Sequence, residues 1–329
     1  MSAPVIAVED LRTHIVTRWG TIKAVDGVSF AVGEGETLGL VGESGSGKSM
    51  TCLSVLRLVP RPAARIVGGR VRLDGEDLLA KSAREMQRIR GKRVAMILQD
   101  PMSSLNPVFS VGMQIREPLI SYHGLAGRAL RDRAVELLGS VGISSPAARL
   151  RAFPHQLSGG MRQRVVGAMA ISGPPRLLIA DEPTTSLDLT IQAQYLRLLK
   201  DLQTRHRLAM IFVTHNLGIV AKMCDKVAVM YAGKIVEMQS VRGLFYRPRH
   251  PYTKALLDSI PKLGVKEPLY GIPGQPPDLA ALPVGCSFHP RCRQAMDRCR
   301  IEEPWQHNLN GDGNVRCWLP IDEEAAGRG

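Results

Sequence analysis

A glycine-rich stretch between an apolar run and a helical pattern constrains this sequence most. Residues 42–49 read Gly-Glu-Ser-Gly-Ser-Gly-Lys-Ser, after the apolar run 37–41 and before the apolar-periodic segment 50–58. Strand, glycine loop and helix in this order indicate a phosphate-binding loop, where backbone N–H groups converge on phosphate oxygens at a helix N-terminus. Lys48 is predicted to contact the outer phosphates and the Ser49 hydroxyl to ligate Mg²⁺. The predicted nucleotide-binding residues of this loop are Gly42, Ser44, Gly45, Ser46, Gly47, Lys48 and Ser49.

Short apolar runs alternate with helical patterns along the first 240 residues. Residues 37–41, 94–98, 177–180, 209–214 and 227–231 are predicted to be buried strands, and 111–122 and 128–141 to be helices. This alternation predicts an α/β fold. Cys52 and Cys224 lie in apolar helical patterns and are expected in the core.

Two carboxylates, Asp181 and Glu182, follow the predicted strand 177–180. Alone, such a pair is most simply a solvated strand end. In a P-loop protein the first acid can hold Mg²⁺ and the second can accept a proton from attacking water. Together with the glycine loop, the pair predicts a hydrolase-type nucleotide site.

Residues 157–164, Leu-Ser-Gly-Gly-Met-Arg-Gln-Arg, resemble the signature of ATP-binding cassette (ABC) ATPases. Gln99 resembles the Q-loop glutamine of that family, residues 186–188 its D-loop with Asp188, and His215 its switch histidine. Trp19 lies where such proteins carry an aromatic residue that stacks on adenine. The resemblance covers about residues 5–240 and implies a P-loop ABC ATPase core with a mixed sheet and a helical subdomain.

The resemblance also implies roles for these residues. Glu182, His215 and Gln99 would be catalytic, and Gln99 would join Ser49 and Asp181 around Mg²⁺. Ser158, Gly159 and Gly160 open a predicted helix and form a second anion site. In the family this signature closes on the ATP held by the P-loop of a second cassette, in a head-to-tail dimer.

Several stretches resemble more narrowly the ATP-binding subunits of bacterial oligopeptide and dipeptide importers. They are residues 41–49, 99–107, 157–164, 180–188, 250–257 and 286–292. The implied function is ATP hydrolysis that powers peptide import across the cytoplasmic membrane. The implied partners are a second, related ABC ATPase subunit, two transmembrane permease subunits and an extracytoplasmic solute-binding protein, with this chain peripheral on the cytoplasmic face of the membrane. The segment after Gln99 is the expected contact with the permeases. Import of another small solute, such as a metal chelate, stays open as the alternative, and a nucleic-acid-associated cassette is a further one.

The last 89 residues differ from the rest in composition. They hold 11 of the 22 prolines and four cysteines, Cys286, Cys292, Cys299 and Cys317. We therefore expect an ABC nucleotide-binding domain over 1–240, with its helical subdomain at about 101–170, and a small Cys-rich C-terminal extension over 241–329. Cysteines clustered in a reducing compartment indicate a metal site, and spacing alone leaves zinc and an iron–sulfur cluster open. The resemblance favours a [4Fe–4S] cluster, with Zn²⁺ or buried reduced thiols as alternatives.

Net charge and hydropathy limit whether the chain could also bind nucleic acid or span a membrane. The formal net charge is +13, which fits nucleic acid, a membrane surface or a phosphate ligand. Only 59 positions separate Gln99 from Ser158, too few for an inserted DNA-binding module, and aromatic residues are 5% of the chain, so no nucleic-acid partner is expected. The sequence has no apolar window of spanning length and no signal-like start, which favours a cytosolic chain.

Overall fold

The computed structural model describes residues 3–99, 104–185, 187–261, 271–309 and 313–319. The strands are β1 (Ile6–Thr17), β2 (Gly20–Val32), β3 (Thr37–Val41), β4 (Ala64–Leu73), β5 (Glu76–Asp77), β6 (Val94–Ile97), β7 (Leu177–Asp181), β8 (Ala209–Val213), β9 (Lys226–Tyr231), β10 (Lys234–Ser240), β11 (His307–Leu309) and β12 (Gly313–Val315). The helices are α1 (Lys48–Val55), α2 (Ala83–Ile89), α3 (Val111–His123), α4 (Gly127–Ser140), α5 (Pro146–Arg149), α6 (Gly159–Ile171), α7 (Leu189–His206), α8 (Leu217–Met223), α9 (Val241–Tyr246), α10 (Pro251–Asp258) and α11 (Asp297–Ile301).

The chain forms two compact units. The first comprises residues up to 6, 32–36 and 73–213, and the second comprises 7–31, 37–72 and 214 onward. The boundary expected near residue 240 falls where β10 ends and α9 begins. The division into domains at that residue stays a prediction.

The first unit is built on three parallel strands and a set of helices. β6 pairs with β7 (Val94 opposite Leu177), and β7 pairs with β8 (Leu177 opposite Ala209). Every residue of β7 and β8 is buried, as expected for parallel strands covered on both faces. The three corresponding strand predictions are confirmed, each with its end within one residue.

The helices of the first unit bury amphipathic faces. α4 buries Leu130, Ala134, Leu137 and Leu138, and α3 packs against it. This i, i+4, i+7, i+8 spacing is the stripe that a helix presents to a core. The helix predictions at 111–122 and 128–141 are confirmed.

The second unit contains a mixed sheet that starts at β3. β3 runs parallel to β9, β9 is antiparallel to β10, and β10 pairs with β12, which pairs with β11. A second sheet places β1 between β2 and β4. The expected mixed sheet is therefore confirmed.

The C-terminal residues carry more regular structure than their proline content predicts. β11 and β12 form a short antiparallel pair, and Val315 of β12 lies opposite Glu237 of β10. Neither strand is long enough, at three residues, to show a local pattern, and β10, which joins β12 to the sheet, comes much earlier in the chain. Within the described ranges, no helix is both long and apolar enough to cross a bilayer.

Candidate nucleotide-binding and hydrolysis site

The phosphate-binding loop joins β3 to α1 in the second unit. Gly42 has φ 150° and Gly47 has φ 104°. A Cβ on Gly42 would lie 2.2 Å from the carbonyl oxygen of Met230, and one on Gly47 would lie 2.3 Å from that of Ala24. Both positions therefore require glycine, because positive φ and close backbone contact each exclude a side chain. The predicted strand, loop and helix are confirmed here.

Lys48 is the first residue of α1 and is almost fully buried. Its ammonium donates to the carbonyl oxygens of Gly42 (2.8 Å) and Glu43 (2.9 Å), so the side chain folds back along the loop. α1 has no side-chain cap and no acidic residue in its first turn. This charge pattern suits an anion at the start of the helix.

His215 and Trp19 also belong to the second unit. Thr214 N–H donates to the carbonyl of Leu40 in β3 (3.3 Å), which places the exposed His215 near the strand that leads into the loop. Trp19 is 78% exposed in the turn between β1 and β2, and the Arg18 guanidinium lies 3.9 Å from its ring centroid. The indole is therefore exposed, with the Arg18 guanidinium over its ring.

The acidic pair and Gln99 come together in the first unit. Asp181 ends β7 and is buried, and Glu182 follows with φ 44°. The Glu182 carboxylate accepts hydrogen bonds from Gln99 Nε2 (3.3 Å) and Thr185 Oγ1 (2.9 Å). These donors orient a carboxylate placed directly after the strand end.

The signature residues begin α6 in the same unit. Ser158 caps this helix by accepting from Met161 N–H (3.3 Å), and Gly159 and Gly160 follow in its first turn. Asp188 caps α7 by accepting from Thr190 N–H (3.1 Å) and Ile191 N–H (3.0 Å). The expected helix opening at Ser158 is thus confirmed, whereas Asp188 has a capping role that the sequence analysis did not predict. The segment 100–103 after Gln99 and Ser186 of the predicted D-loop lie outside the described residues.

Three contacts of functional interest were missed by sequence reasoning. Gln163 is buried in α6 and donates to the carbonyl of Pro183 (2.6 Å), next to Glu182. Glu43, inside the phosphate-binding loop, is bonded to Tyr252 and Arg291 from the C-terminal residues. No local pattern signals these pairs, which are 20, 209 and 248 residues apart.

The metal prediction at the four cysteines, including the [4Fe–4S] cluster and its zinc alternative, is wrong for this structure. All four border one small cavity beside Phe288 and Trp318. In the part of the chain that the structure describes, however, no group of three or more His, Cys, Asp or Glu side chains is placed to hold a metal ion. Burial raises the pKa of Cys286 to about 11 and that of Cys317 to about 12, so both thiols carry their proton at neutral pH in the metal-free chain. Cys299 and Cys317 are buried, as Cys52 and Cys224 are, and Cys286 and Cys292 are half-buried.

Comparisons with known proteins agree with this architecture. A family model described as "ABC transporter" matches residues 25–185, and one described as "Oligopeptide/dipeptide transporter, C-terminal region" matches residues 236–299. The oligopeptide transport ATP-binding protein OppD of Bacillus subtilis is 49% identical over 316 residues, covering 95% of this chain and 88% of that protein. The dipeptide transport ATP-binding protein DppD of Escherichia coli is 46% identical over 322 residues, or 98% of each.

Solved structures show the same cassette fold. The ATP-binding cassette MJ0796, in a dimeric post-hydrolysis state with ADP and Pi, matches with a TM-score of 0.65 and 26% identity over 72% of this chain and 99% of that one. Family models and relatives together cover both the P-loop portion and the C-terminal residues. The chain therefore belongs to the oligopeptide and dipeptide transporter family of ABC ATP-binding subunits, whose members are ATPases coupled to transport.

Proposed function

We propose that this chain binds and hydrolyses MgATP to power the import of peptides through a membrane ABC importer. The proposal rests on a P-loop that joins a buried strand to a helix. The same chain matches the C-terminal region of oligopeptide and dipeptide transporters over residues 236–299. OppD and DppD, the relatives named above, are by name oligopeptide and dipeptide transport ATP-binding proteins. The proposal extends that substrate class to this chain.

The P-loop residues fit a triphosphate and Mg²⁺. Loop amides from Ser44 to Gly47 and the start of α1 receive the phosphates, and Lys48 moves its ammonium from the loop carbonyls to the outer phosphate. Ser49 and Asp181 supply a hydroxyl and a carboxylate, the oxygen donors that Mg²⁺ prefers, and Gln99 is the third proposed ligand. Mg²⁺, when bound, offsets the negative charge of the phosphates.

Glu182 acts as the general base that accepts a proton from the attacking water. Its hydrogen bonds from Gln99 and Thr185 fix the carboxylate directly after the end of β7, which orients the base. His215 contacts the γ-phosphate, Trp19 stacks on adenine, and the Asp188 segment joins the nucleotide-binding residues, as their family positions imply.

A second, related cassette completes the site in this proposal. Ser158, Gly159 and Gly160 form an exposed or half-buried helix start whose amides suit the phosphates held by that partner. Two permease subunits dock on the helical subdomain, where Val108, Phe109 and Met113 are 73%, 43% and 55% exposed. An extracytoplasmic binding protein delivers the peptide, and the chain sits peripherally on the cytoplasmic face of the membrane.

The proposed domain division follows the same family pattern. Residues 1–240 form the nucleotide-binding domain, with a helical subdomain at about 101–170. Residues 241–329 form an extension typical of peptide importers, which the match at 236–299 supports.

The ATPase assignment is tested by MgATP binding and turnover of three variants. Lys48→Ala is expected to lose nucleotide binding, whereas the control Lys222→Ala, at an exposed lysine of α8, retains it. Glu182→Gln is expected to bind MgATP while turnover falls by about 10²–10⁴, as for loss of a general base. Unchanged turnover in Glu182→Gln would remove this residue from the mechanism.

The peptide assignment needs the assembled transporter. Uptake of labelled di- and oligopeptides into vesicles that hold the complex with its binding protein is expected to require ATP and an intact Glu182. Transport of a metal chelate with no peptide uptake would refute the substrate class and leave the ATPase assignment standing.

A further inference from the structure

Glu43 is held at three points, and two of its partners come from the C-terminal residues. Its backbone N–H donates to the Tyr252 hydroxyl (2.9 Å), and its carboxylate accepts two bonds from Arg291 (2.7 and 3.0 Å). Its carbonyl accepts from the Lys48 ammonium (2.9 Å). One loop residue therefore connects the phosphate-contacting lysine to two side chains more than 200 residues away in sequence.

The Arg291 side chain is built into this position. It is 5% exposed, against 28% for Glu43, and its two terminal nitrogens bond the two carboxylate oxygens. Its Nε donates to the Pro273 carbonyl (2.8 Å), and one terminal nitrogen also lies 3.4 Å from the Tyr231 hydroxyl. This forked geometry fixes the carboxylate in direction as well as distance, which a lysine could not do. The hydrogen bond to Glu43 raises the pKa of Arg291 further, so its charge is constant.

The Tyr252 hydroxyl is equally fixed. The rings of Tyr231, Tyr252 and Phe288 pack with centroids 4.7 to 5.3 Å apart. His250 caps α10 by accepting from Tyr252 N–H (3.0 Å), and the buried Glu237 carboxylate accepts from His250 N–H (2.8 Å). Packed aromatic rings and buried hydrogen bonds give this hydroxyl little freedom to move.

The bonds that hold Glu43 affect ligand binding because the loop contacts phosphates through its backbone N–H groups. The amides and the lysine must converge on the phosphates, and a shift of about 1 Å in such a group can lower function by about 10²-fold. Release of the Glu43 carboxylate would free the segment that carries the Lys48 contact. The loop would then lose its preset shape, and MgATP would have to order it.

We propose that Arg291 is a positioning residue of the phosphate-binding loop, which acts through Glu43 so that the C-terminal residues set the MgATP affinity of the cassette. This inference rests on the proposed ATP binding. It assigns to Arg291 and Tyr252 a role in the nucleotide site that neither the loop motif nor the C-terminal match indicates.

The test is isothermal titration of the full chain with MgATP, at a temperature well below the unfolding midpoint of every variant. Arg291→Gln and Glu43→Gln are each expected to raise Kd about tenfold, and the double variant to be no weaker than either single one, because both changes remove one interaction. Arg291→Lys keeps the positive charge but cannot make the two parallel hydrogen bonds, and its Kd is expected to lie between those of the wild type and Arg291→Gln. The control Arg300→Gln removes an exposed positive charge from the same region and is expected to bind as the wild type does.

Different outcomes identify different errors. If Arg291→Gln and Glu43→Gln lower the unfolding midpoint yet bind MgATP with unchanged Kd, the pair is only a structural staple and the inference is overturned. Additive effects in the double variant would also overturn it. If Arg291→Gln fails to fold, Glu43→Gln and Tyr252→Phe, both close in size to the native residue, decide the question alone. If wild type and Arg300→Gln bind no MgATP, the proposed function itself fails.

Discussion

The buried bond from Gln163 to Pro183 offers a quantitative test of the first unit. Gln163→Met keeps nearly the same side-chain volume in α6 and removes the donor to a carbonyl beside Glu182. The Pro183 carbonyl would lose its partner in a buried setting, which costs about 1–3 kcal/mol. The apolar methionine offsets part of this loss, so the free energy of unfolding is expected to fall by about 1–2 kcal/mol. At about 2–4 °C per kcal/mol, the midpoint should drop by several degrees.

The assay is urea unfolding for the free energy and thermal unfolding for the midpoint, both followed by far-ultraviolet circular dichroism, together with ATP turnover. Gln87→Met is the matched control, because Gln87 is an exposed glutamine of α2 in the same unit, and its free energy of unfolding should change by less than about 0.5 kcal/mol. Turnover should fall in Gln163→Met only, since the bond holds the turn that carries the Glu182 carboxylate. Equal midpoints for the two variants would refute the assignment of stability to this bond.

Three further outcomes are expected. Gly47→Ala should abolish MgATP binding, because its Cβ would lie 2.3 Å from the Ala24 carbonyl at φ 104°, and titration with MgATP checks this. Leu199→Ala, at a fully buried position of α7, should lower the free energy of unfolding by about 2–5 kcal/mol in urea titrations. Burial lowers the pKa of His250 to about 3, so this imidazole is neutral in the folded protein at neutral pH. Its contribution to the free energy of unfolding should be complete above the ordinary histidine pKa of about 6.5 and should be lost as the pH falls toward 3. The expected loss at pH 5 is about 2 kcal/mol. His250→Asn keeps an acceptor for Tyr252 N–H and should remove this decline, and an unchanged pH profile would contradict the assignment.

The buried strands could be predicted closely from the sequence. The runs at β3, β7 and β8 are apolar at nearly every position because these strands are covered on both faces. Such a run can be recognised in the sequence without knowing which strands lie beside it. β1, β2 and β4 were missed. Their exposed and buried residues mix along strands of 10 to 13 residues, so the apolar runs are broken.

The candidate site divides in the same way. The P-loop, the acidic pair and the signature are contiguous segments, and each carries its own backbone geometry: glycine at positive φ, a strand end, or a helix start capped by Ser158. Such segments can be identified from a single sequence. The metal prediction at the cysteines failed because spacing in sequence does not fix whether thiols converge, and within the described residues they form no group placed to hold a metal ion.

The sequence by itself therefore determined the P-loop, the buried strands and the family, because these depend on short-range backbone preferences and on burial patterns. Only the tertiary structure decided that Arg291 and Tyr252 hold Glu43, and that Gln163 holds Pro183. The physical reason is that a hydrogen bond between residues 20 to 248 positions apart depends on how helices, strands and loops pack. The residues next to each partner in the sequence do not indicate that bond.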